Sequence, residues 1–269
     1  MEVAILDFSW YGNPYDVASN RLLVEALARR GRLAEVVAAS AAGPGPRLAA
    51  EKVWLRYDLR QPADLNRVIE VAEGLTRQGV RVFPAPAAVT NAEDKWQTAQ
   101  GLAKAGVPIP QTRLGGEAHH LPLPIILKRR VGWGSQGSCV CRQPADPGPA
   151  VADLDAYVAQ PFLPHDRTLV AAVAAGRGLA CLEDIGGGLQ AEGRVGTVPW
   201  PTGALELAWQ ALQAVGLPTG TVDLIETADG LQVLEVNSAP RLTYPHLPAV
   251  DLAGPMVDAV LSWWEMEGS

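Results

Sequence analysis

The stretch Thr219–Pro245, TGTVDLIETADGLQVLEVNSAPRLTYP, decides how the chain is read. Its second apolar run, Leu231–Asn237, carries Glu235 and Asn237 two residues apart, and Asp223 sits in the run before it. Side chains alternate across a strand, so Glu235 and Asn237 share one face while Leu234 and Val236 share the other. The linker Ala228-Asp229-Gly230 marks a hairpin. A two-residue Asp229-Gly230 turn would set Asp223 opposite Val236. A three-residue loop with Gly230 left-handed sets Asp223 opposite Glu235, with β-carbons about 5 Å apart, and that is the register expected here. Opposed carboxylates repel unless a cation lies between them. Oxygen donors that include a carboxamide suit Mg2+ or Mn2+ rather than zinc, and Mg2+ completes its shell with water and phosphate oxygens. A half-exposed strand with polar residues outward explains the hairpin equally well, so the hairpin alone does not decide.

A second stretch, PIILKRRVGWGSQGS at 124–138, bears on the choice. Lys128 ends an apolar strand, and Gly132, Gly134 and Gly137 punctuate the loop that follows. Glycines let backbone N–H groups approach phosphate oxygens, and a lysine adds a point charge. The lysine precedes the glycines and no helix start follows, so this is not a P-loop. A plain mobile hairpin has the same composition. Arg129 and Arg130 follow Lys128, one of them on its face, and solvation is the expected state of both.

Around these stretches the chain alternates strand and helix. Val3–Asp7 reads as a buried strand and residues 16–30 as a helix stopped by Gly31. Strand patterns at 33–40 and 52–58 are followed by helical spacing over 65–79 and a strand from Val80. This alternation predicts a small open α/β unit over residues 1–88. Thr90 with Glu93 three residues on has the pattern of a capping box, which places a helix start there, and Gly106 with Pro108 ends that helix. Further strands are expected at 153–163, 168–176 and 177–185, and helices at 204–216 and 251–266.

Composition bounds the function. The 269 residues are 48 % hydrophobic and 19 % charged, which is ordinary for a soluble globular protein. The net charge of −7, with no long Lys/Arg cluster, argues against a nucleic-acid partner. The N-terminus lacks a basic n-region and no apolar run is long enough to span a bilayer, so neither a signal peptide nor a membrane partner is expected. Three cysteines fit a reducing cytosol, and Cys139 and Cys141 read as packing rather than a zinc site.

The order of these motifs carries a resemblance. Asp94-Lys95 at a helix start, ILK at 126–128 with GSQG at 134–137, YVAQPFL at 157–163, GTVDLIE at 220–226 and LEVNSAP at 234–240 occur in the sequence and spacing of ATP-grasp ligases. The chain is similar, over roughly residues 85–265, to the group containing the ribosomal-protein glutamate ligase and the lysine-biosynthesis carrier-protein ligase. The resemblance implies an α/β fold with α+β lobes. Residues 1–88 would form a pre-ATP-grasp domain, 89–158 a small lobe with a glycine flap, and 159–269 a C-terminal lobe with the metal site.

It also implies roles. Lys128 and Lys95 would bind nucleotide phosphates under a flap of Gly134, Ser135, Gln136 and Gly137. The backbone of Gln160, Pro161, Phe162 and Leu163 would read adenine, with Asp166 near the ribose. Asp223, Glu235 and Asn237 would hold one or two Mg2+ (or Mn2+) ions. ATP would phosphorylate a carboxylate, and an amine would displace the phosphate to give an amide or peptide-like bond. Small-molecule or amino-acid substrates are expected, with a homo-oligomer allowed by the resemblance. Three departures stand out. The hinge reads Gln160-Pro161 where the family carries Gln-Glu, and HDRT at 165–168 only approximates Asp-x-Arg. GGGLQAEGRVG at 186–196 replaces an Arg-x-Asn segment, leaving Arg194 as the catalytic arginine and Gln190 as a weaker stand-in for the Asn. Ser238 and Arg241, beside the metal strand, are candidates for binding a substrate carboxylate. A small-molecule kinase on the same fold, or a nucleotide-binding protein without turnover, are the alternatives these departures keep open.

Overall fold

The computed structural model describes residues 1–39, 48–132, 137–143, 146, 148, 151–165, 167–184, 195–244, 247 and 250–266. Three sheets are built in chain order. The first is parallel, with strands β1 (Val3–Phe8), β2 (Ala34–Ala38), β3 (Lys52–Tyr57) and β4 (Arg81–Phe83) in the order β2-β1-β3-β4. Its two faces follow from alternation along β1. Val3 and Ile5 pack with Leu23 and Leu27 of helix α1 (Pro14–Ala28), whereas Ala4, Leu6 and Phe8 pack with Leu65, Val68 and Leu75 of α2 (Pro62–Arg77). Both helices start with proline at the first turn, where the missing N–H has no intrahelical partner to lose.

The helix predicted from Thr90 is two helices. α3 runs Pro86–Glu93 and α4 runs Lys95–Lys104. Pro86 starts the first, and the Asp94 carboxylate caps the second by accepting from Trp96 N at 2.9 Å. Thr90 therefore lies inside α3, where its hydroxyl donates to the Pro86 carbonyl, and Glu93 is free to reach elsewhere. The capping-box expectation was wrong because a stronger start lay on each side of it.

The second sheet, antiparallel, comprises β5 (Arg113–Leu114), β6 (Ile125–Arg129), β7 (Cys139–Cys141) and β8 (Tyr157–Pro161) in the order β5-β8-β6-β7. Ile125, Leu127, Cys141, Tyr157 and Ala159 cluster on one face. By alternation Ile126, Lys128, Val158 and Gln160 face the other way. The third sheet is also antiparallel, with β9 (Arg167–Ala174), β10 (Arg177–Asp184), β11 (Val195–Thr197), β12 (Thr219–Thr227) and β13 (Gly230–Asn237) in the order β11-β10-β9-β12-β13. α5 (Ala204–Val215) covers its core face, with Ala208, Ala211 and Leu212 fully buried.

The last helix, α6 (Ala253–Met266), returns to the first sheet. Its Trp264 is buried edge-on against Trp54 and Phe83, and its Asp258 pairs with Arg30 at the end of α1. Among the described residues no helix is long and apolar enough to cross a membrane.

Candidate functional site

The expected pairing of Asp223 with Glu235 is present, reached by a different route. Thr227 pairs with Gly230, so the turn is Ala228-Asp229, and Leu224 faces Val233. Left uninterrupted, that register would bring Asp223 opposite Leu234. Leu234 instead bulges out between the two pairs, and beyond it Asp223 faces Glu235, Val222 faces Val236 and Thr221 faces Asn237. The bulge lets Val233 and Val236 both enter the core, each 1 % exposed, although three residues apart they would fall on opposite faces of a regular strand. It also re-aims Glu235 and Asn237 onto the face of Asp223. Gly230, at φ 110°, closes the turn in a conformation that side chains disfavour.

On that face Asn237 Nδ2 lies 3.4 Å from Asp223 Oδ1. Lys95 Nζ, at the first position of α4, is 2.9 Å from Glu235 Oε1 and donates to the Gly132 carbonyl at 2.6 Å. Lys128, from the facing sheet, completes the group. Burial, then the Glu235 charge, lifts the Asp223 carboxyl to about 7 against the pull of both lysines. Burial lowers Lys128 to about 8, with Glu235 and Asp223 opposing and Lys95 adding to the fall. Two carboxylates and an amide on one face, one carboxyl raised chiefly by burial, form a donor set suited to a hard divalent cation. The same lysines present two ammonium groups to an anion.

A crevice opens beside these charges between the second sheet, α4 and β13. Lys95, Lys128 and Glu235 stand with Leu102, Ile109, Val158, Gln160 and the bulged Leu234 in its lining. Gln160 donates to Thr112 Oγ1 at 3.0 Å, while its Oε1 is buried with no partner among the described residues. Of the expected hinge, Pro161 has no N–H, and the Phe162 N–H is taken by the Pro124 carbonyl at 2.8 Å. The Leu163 carbonyl is engaged by His165 Nδ1 at 3.0 Å.

Gly134, Ser135, Gln136, Asp166 and Arg194 lie outside the described residues, as does Gln190. Gly137 is described, at φ 73°, with Arg129 against it. Arg130 is not the solvated side chain that was expected. It donates to both oxygens of Asp94, by Nε at 3.1 Å and by a terminal nitrogen at 2.5 Å. The cap of α4 is thereby tied to the end of β6, and Lys95 is set against Lys128.

Ser238 is 2 % exposed and already engaged. Its hydroxyl bonds Glu93 Oε1 and the Tyr57 hydroxyl, each at 2.5 Å, and its N–H reaches the same Glu93 oxygen at 3.3 Å. Burial raises Glu93 to about 7; its bonds from Ser238 oppose this and the Glu235 charge adds to it. The loop continues under similar control. Arg56, 2 % exposed, donates to the Pro240 carbonyl at 2.9 Å, and Leu242 N donates to Ser19 Oγ at 3.0 Å. Arg241 lies over the Tyr15 ring at 3.3 Å with its Nε on the Thr243 carbonyl, and among the described residues its terminal nitrogens have no hydrogen-bond partner. Tyr57, Arg56 and Ser19 were marked by no motif, and Glu93 only as the partner of Thr90 in the expected capping box. The signal that points to Glu93 is its place two residues before Lys95, on the last turn of a helix whose next residue is a cap.

A family model described as an ATP-grasp domain matches residues 92–245. The Haemophilus influenzae (strain Rd) protein named "Probable alpha-L-glutamate ligase" is 30 % identical over 196 residues, 64 % of this chain and 64 % of that protein. The chain thus spans under two thirds of that relative's length. Among solved structures, the RimK domain ATP-grasp protein from Sphaerobacter thermophilus superposes with a TM-score of 0.72 at 22 % identity, covering 96 % of this chain and 99 % of that one. The ATP-grasp ligase PsnB, complexed with minimal precursor, Mg and ADP, gives 0.66 at 20 % identity, covering 97 % and 96 %. These two likenesses establish the fold.

Proposed function

The chain belongs to the ATP-grasp family, and on that premise we propose that it is an ATP- and magnesium-dependent carboxylate–amine ligase acting through an acyl phosphate. The observation that carries the reading is the grouping of Asp223, Glu235 and Asn237 on one face with Lys95 and Lys128 beside them, Glu235 and both lysines lining one crevice. The Haemophilus relative is named "Probable alpha-L-glutamate ligase", and the PsnB structure contains Mg and ADP.

On this reading residues 159–269 supply the metal residues, 89–158 the phosphate lysines, and 1–88 shape the substrate side. Asp223, Glu235 and Asn237 would hold Mg2+, which when bound neutralises charge on the phosphoryl group in transit. Lys128 and Lys95 would take phosphate oxygens, with the backbone of 134–137 above them. The apolar wall of Ile109, Val158 and Leu234 would take the base beside the Gln160–Leu163 hinge, with Asp166 near the ribose. A substrate carboxylate oxygen would attack the γ-phosphorus and ADP would leave. An amine would then attack the acyl carbon and inorganic phosphate would leave. Arg241, held rigid by Tyr15, would orient a substrate carboxylate, and Arg194 is assigned to the oxygens of the acyl phosphate. Ser238 keeps Asn237 and Arg241 in place rather than meeting substrate. The three cysteines, all free thiols, suit the cytosol.

The test is ADP and phosphate release from ATP with a panel of amino acids as amines and carboxylates. Amine-dependent release that needs Mg2+ and disappears in Glu235→Ala supports the proposal. Phosphate transfer to a hydroxyl without amine would make the protein a kinase, and turnover intact in Glu235→Ala would remove the metal assignment.

A further inference from the structure

The first sheet has a topological switch point between β1 and β3. From β1 the chain crosses through α1 to β2 on one side, while β3 and β4 extend the sheet on the other. Open parallel sheets bind ligands in the crevice beyond the carboxyl ends of the strands at such a point. Here those ends carry Asp7 on β1, Arg56 on β3 and Asp58 just after it. α1 adds Asp16 and Asn20, one turn apart and so on one face, exposed by 8 % and 2 %.

Two atoms in this group lack partners. Among the described residues, Asp16 Oδ2 and Asn20 Nδ2 are buried without a hydrogen bond. Both side chains point toward the strand ends, since Asn20 Oδ1 accepts from Arg56 Nε at 3.3 Å, and Asp16 feels the charges of Arg56, Asp58 and Asp7 together with the Ser9 side chain, which leaves its Oδ2 unpartnered. Natural proteins seldom leave such atoms unmatched without a reason. The other polar groups nearby are spoken for. Asp7 takes both the N–H and the hydroxyl of Ser9, Asp58 pairs with Arg60, and Asp64 accepts from Arg60 N, Gln61 N and the Tyr11 hydroxyl. The unmet demand is one acceptor on a carboxylate and one amide donor. Burial, more than the opposing pull of Arg56, lifts the Asp16 carboxyl to about 6.

Arg56 joins this corner to the Pro240 carbonyl, and Tyr15, the neighbour of Asp16, carries Arg241. The switch point therefore adjoins the loop that follows the metal residues. The geometry points to a binding site for the headgroup of an amino acid, in which Asp16 accepts from the substrate's ammonium group and Asn20 donates to one of its oxygens. Carboxylate with ammonium matches acceptor with donor, and with Asp58 paired to Arg60 the remaining Asp7 and Asp16 outweigh Arg56 and favour a cation at Asp16. The site rests on the ligase reading and names the class of one of its substrates.

Thermal unfolding of the full chain with saturating MgADP, screened against each protein amino acid and then the N-acetyl form of any that stabilises, tests this directly. At least one amino acid is expected to raise the midpoint and its N-acetyl form is not. By calorimetry Asp16→Asn is expected to weaken that amino acid about tenfold or more, from the loss of a charged hydrogen bond, with MgADP affinity unchanged. Asp16→Asn is also expected to raise the midpoint in the absence of amino acids, because it removes a buried carboxylate with an unmet oxygen, whereas a purely structural Asp16 would lower it. Equal stabilisation by the N-acetyl form, unaltered affinity in Asp16→Asn, or no stabilising amino acid overturns the proposal, the second being the result for a water bridging Asp16 and Asn20. The N-acetyl comparison uses the unaltered chain and stands even if the variant does not fold. MgADP binding in the same samples separates the two claims: its absence defeats the ligase reading, and its presence without an amino-acid effect defeats this site alone.

Discussion

Gly220 is the position where the scaffold and the site press hardest on each other. It lies on β12 beside Thr221, which pairs with Asn237. A Cβ added there would stand 2.7 Å from the Asn237 carbonyl oxygen and 2.9 Å from Leu212 Cδ2. Ordinary contact begins at 3.4 Å, so the Gly220→Ala protein must find about 0.7 Å on one side and about 0.5 Å on the other. Leu212 is fully buried on α5 and has no room to retreat. The displacement therefore falls on β13 at Asn237. Overpacking of this size costs about 1–3 kcal/mol, and moving a positioned group by up to 1 Å costs on the order of a hundredfold in rate. Urea unfolding should show the first effect. The Mg2+ dependence of ATP turnover should show the second, with activity falling about 10- to 100-fold and more Mg2+ needed for half-maximal rate. A Gly220→Ala protein with the original urea midpoint and Mg2+ dependence would refute the claim that Asn237 belongs to the site.

Two further outcomes follow from the buried groups. Asp223 and Glu93 at about 7 and Asp16 at about 6 all hold protons more tightly in the folded chain than unfolded, so the stability they contribute is full below about pH 4 and is lost as pH rises through 6 to 7. The urea midpoint of the protein without nucleotide should fall from pH 5 to pH 8, less steeply in Glu93→Gln; an identical slope in that variant would remove Glu93 from the account. Ser238→Ala should lower stability by about 1–3 kcal/mol in urea, because the Tyr57 and Glu93 groups it satisfies lose a buried partner. A variant of normal stability whose KM for the carboxylate substrate rises would return Ser238 to direct substrate binding.

Much of the fold could be read from the sequence because its signals are local. The alternation of strand and helix before Phe83, the apolar runs of β6, β8 and β9, and the glycine after α5 each act within a few residues. Where competing local signals overlapped, reading failed. Thr90 and Glu93 match a capping box, yet Pro86 and Asp94 are stronger starts on either side. In the hairpin the pairing of Asp223 with Glu235 was legible but its cause was not. A two-residue turn and a bulge at Leu234 add up to the same offset as a three-residue loop, and the bulge answers to Val233 and Val236 both entering the core. The metal and phosphate candidates were visible as residue types at telling spacings. Their supports were not, because Tyr57 with Ser238, Arg56 with Pro240 and Ser19 with Leu242 join residues some 180 or more positions apart. Arg130 shows the same limit: its partner Asp94 is 36 residues away, and no local pattern distinguishes it from a solvated arginine.

Anomalous diffraction from crystals grown with Mn2+ and a nonhydrolysable ATP analogue addresses the central claim. Manganese density contacting Asp223, Glu235 and Asn237, with the triphosphate reaching Lys95 and Lys128, is the result expected. A nucleotide bound with its metal away from those three side chains would contradict it.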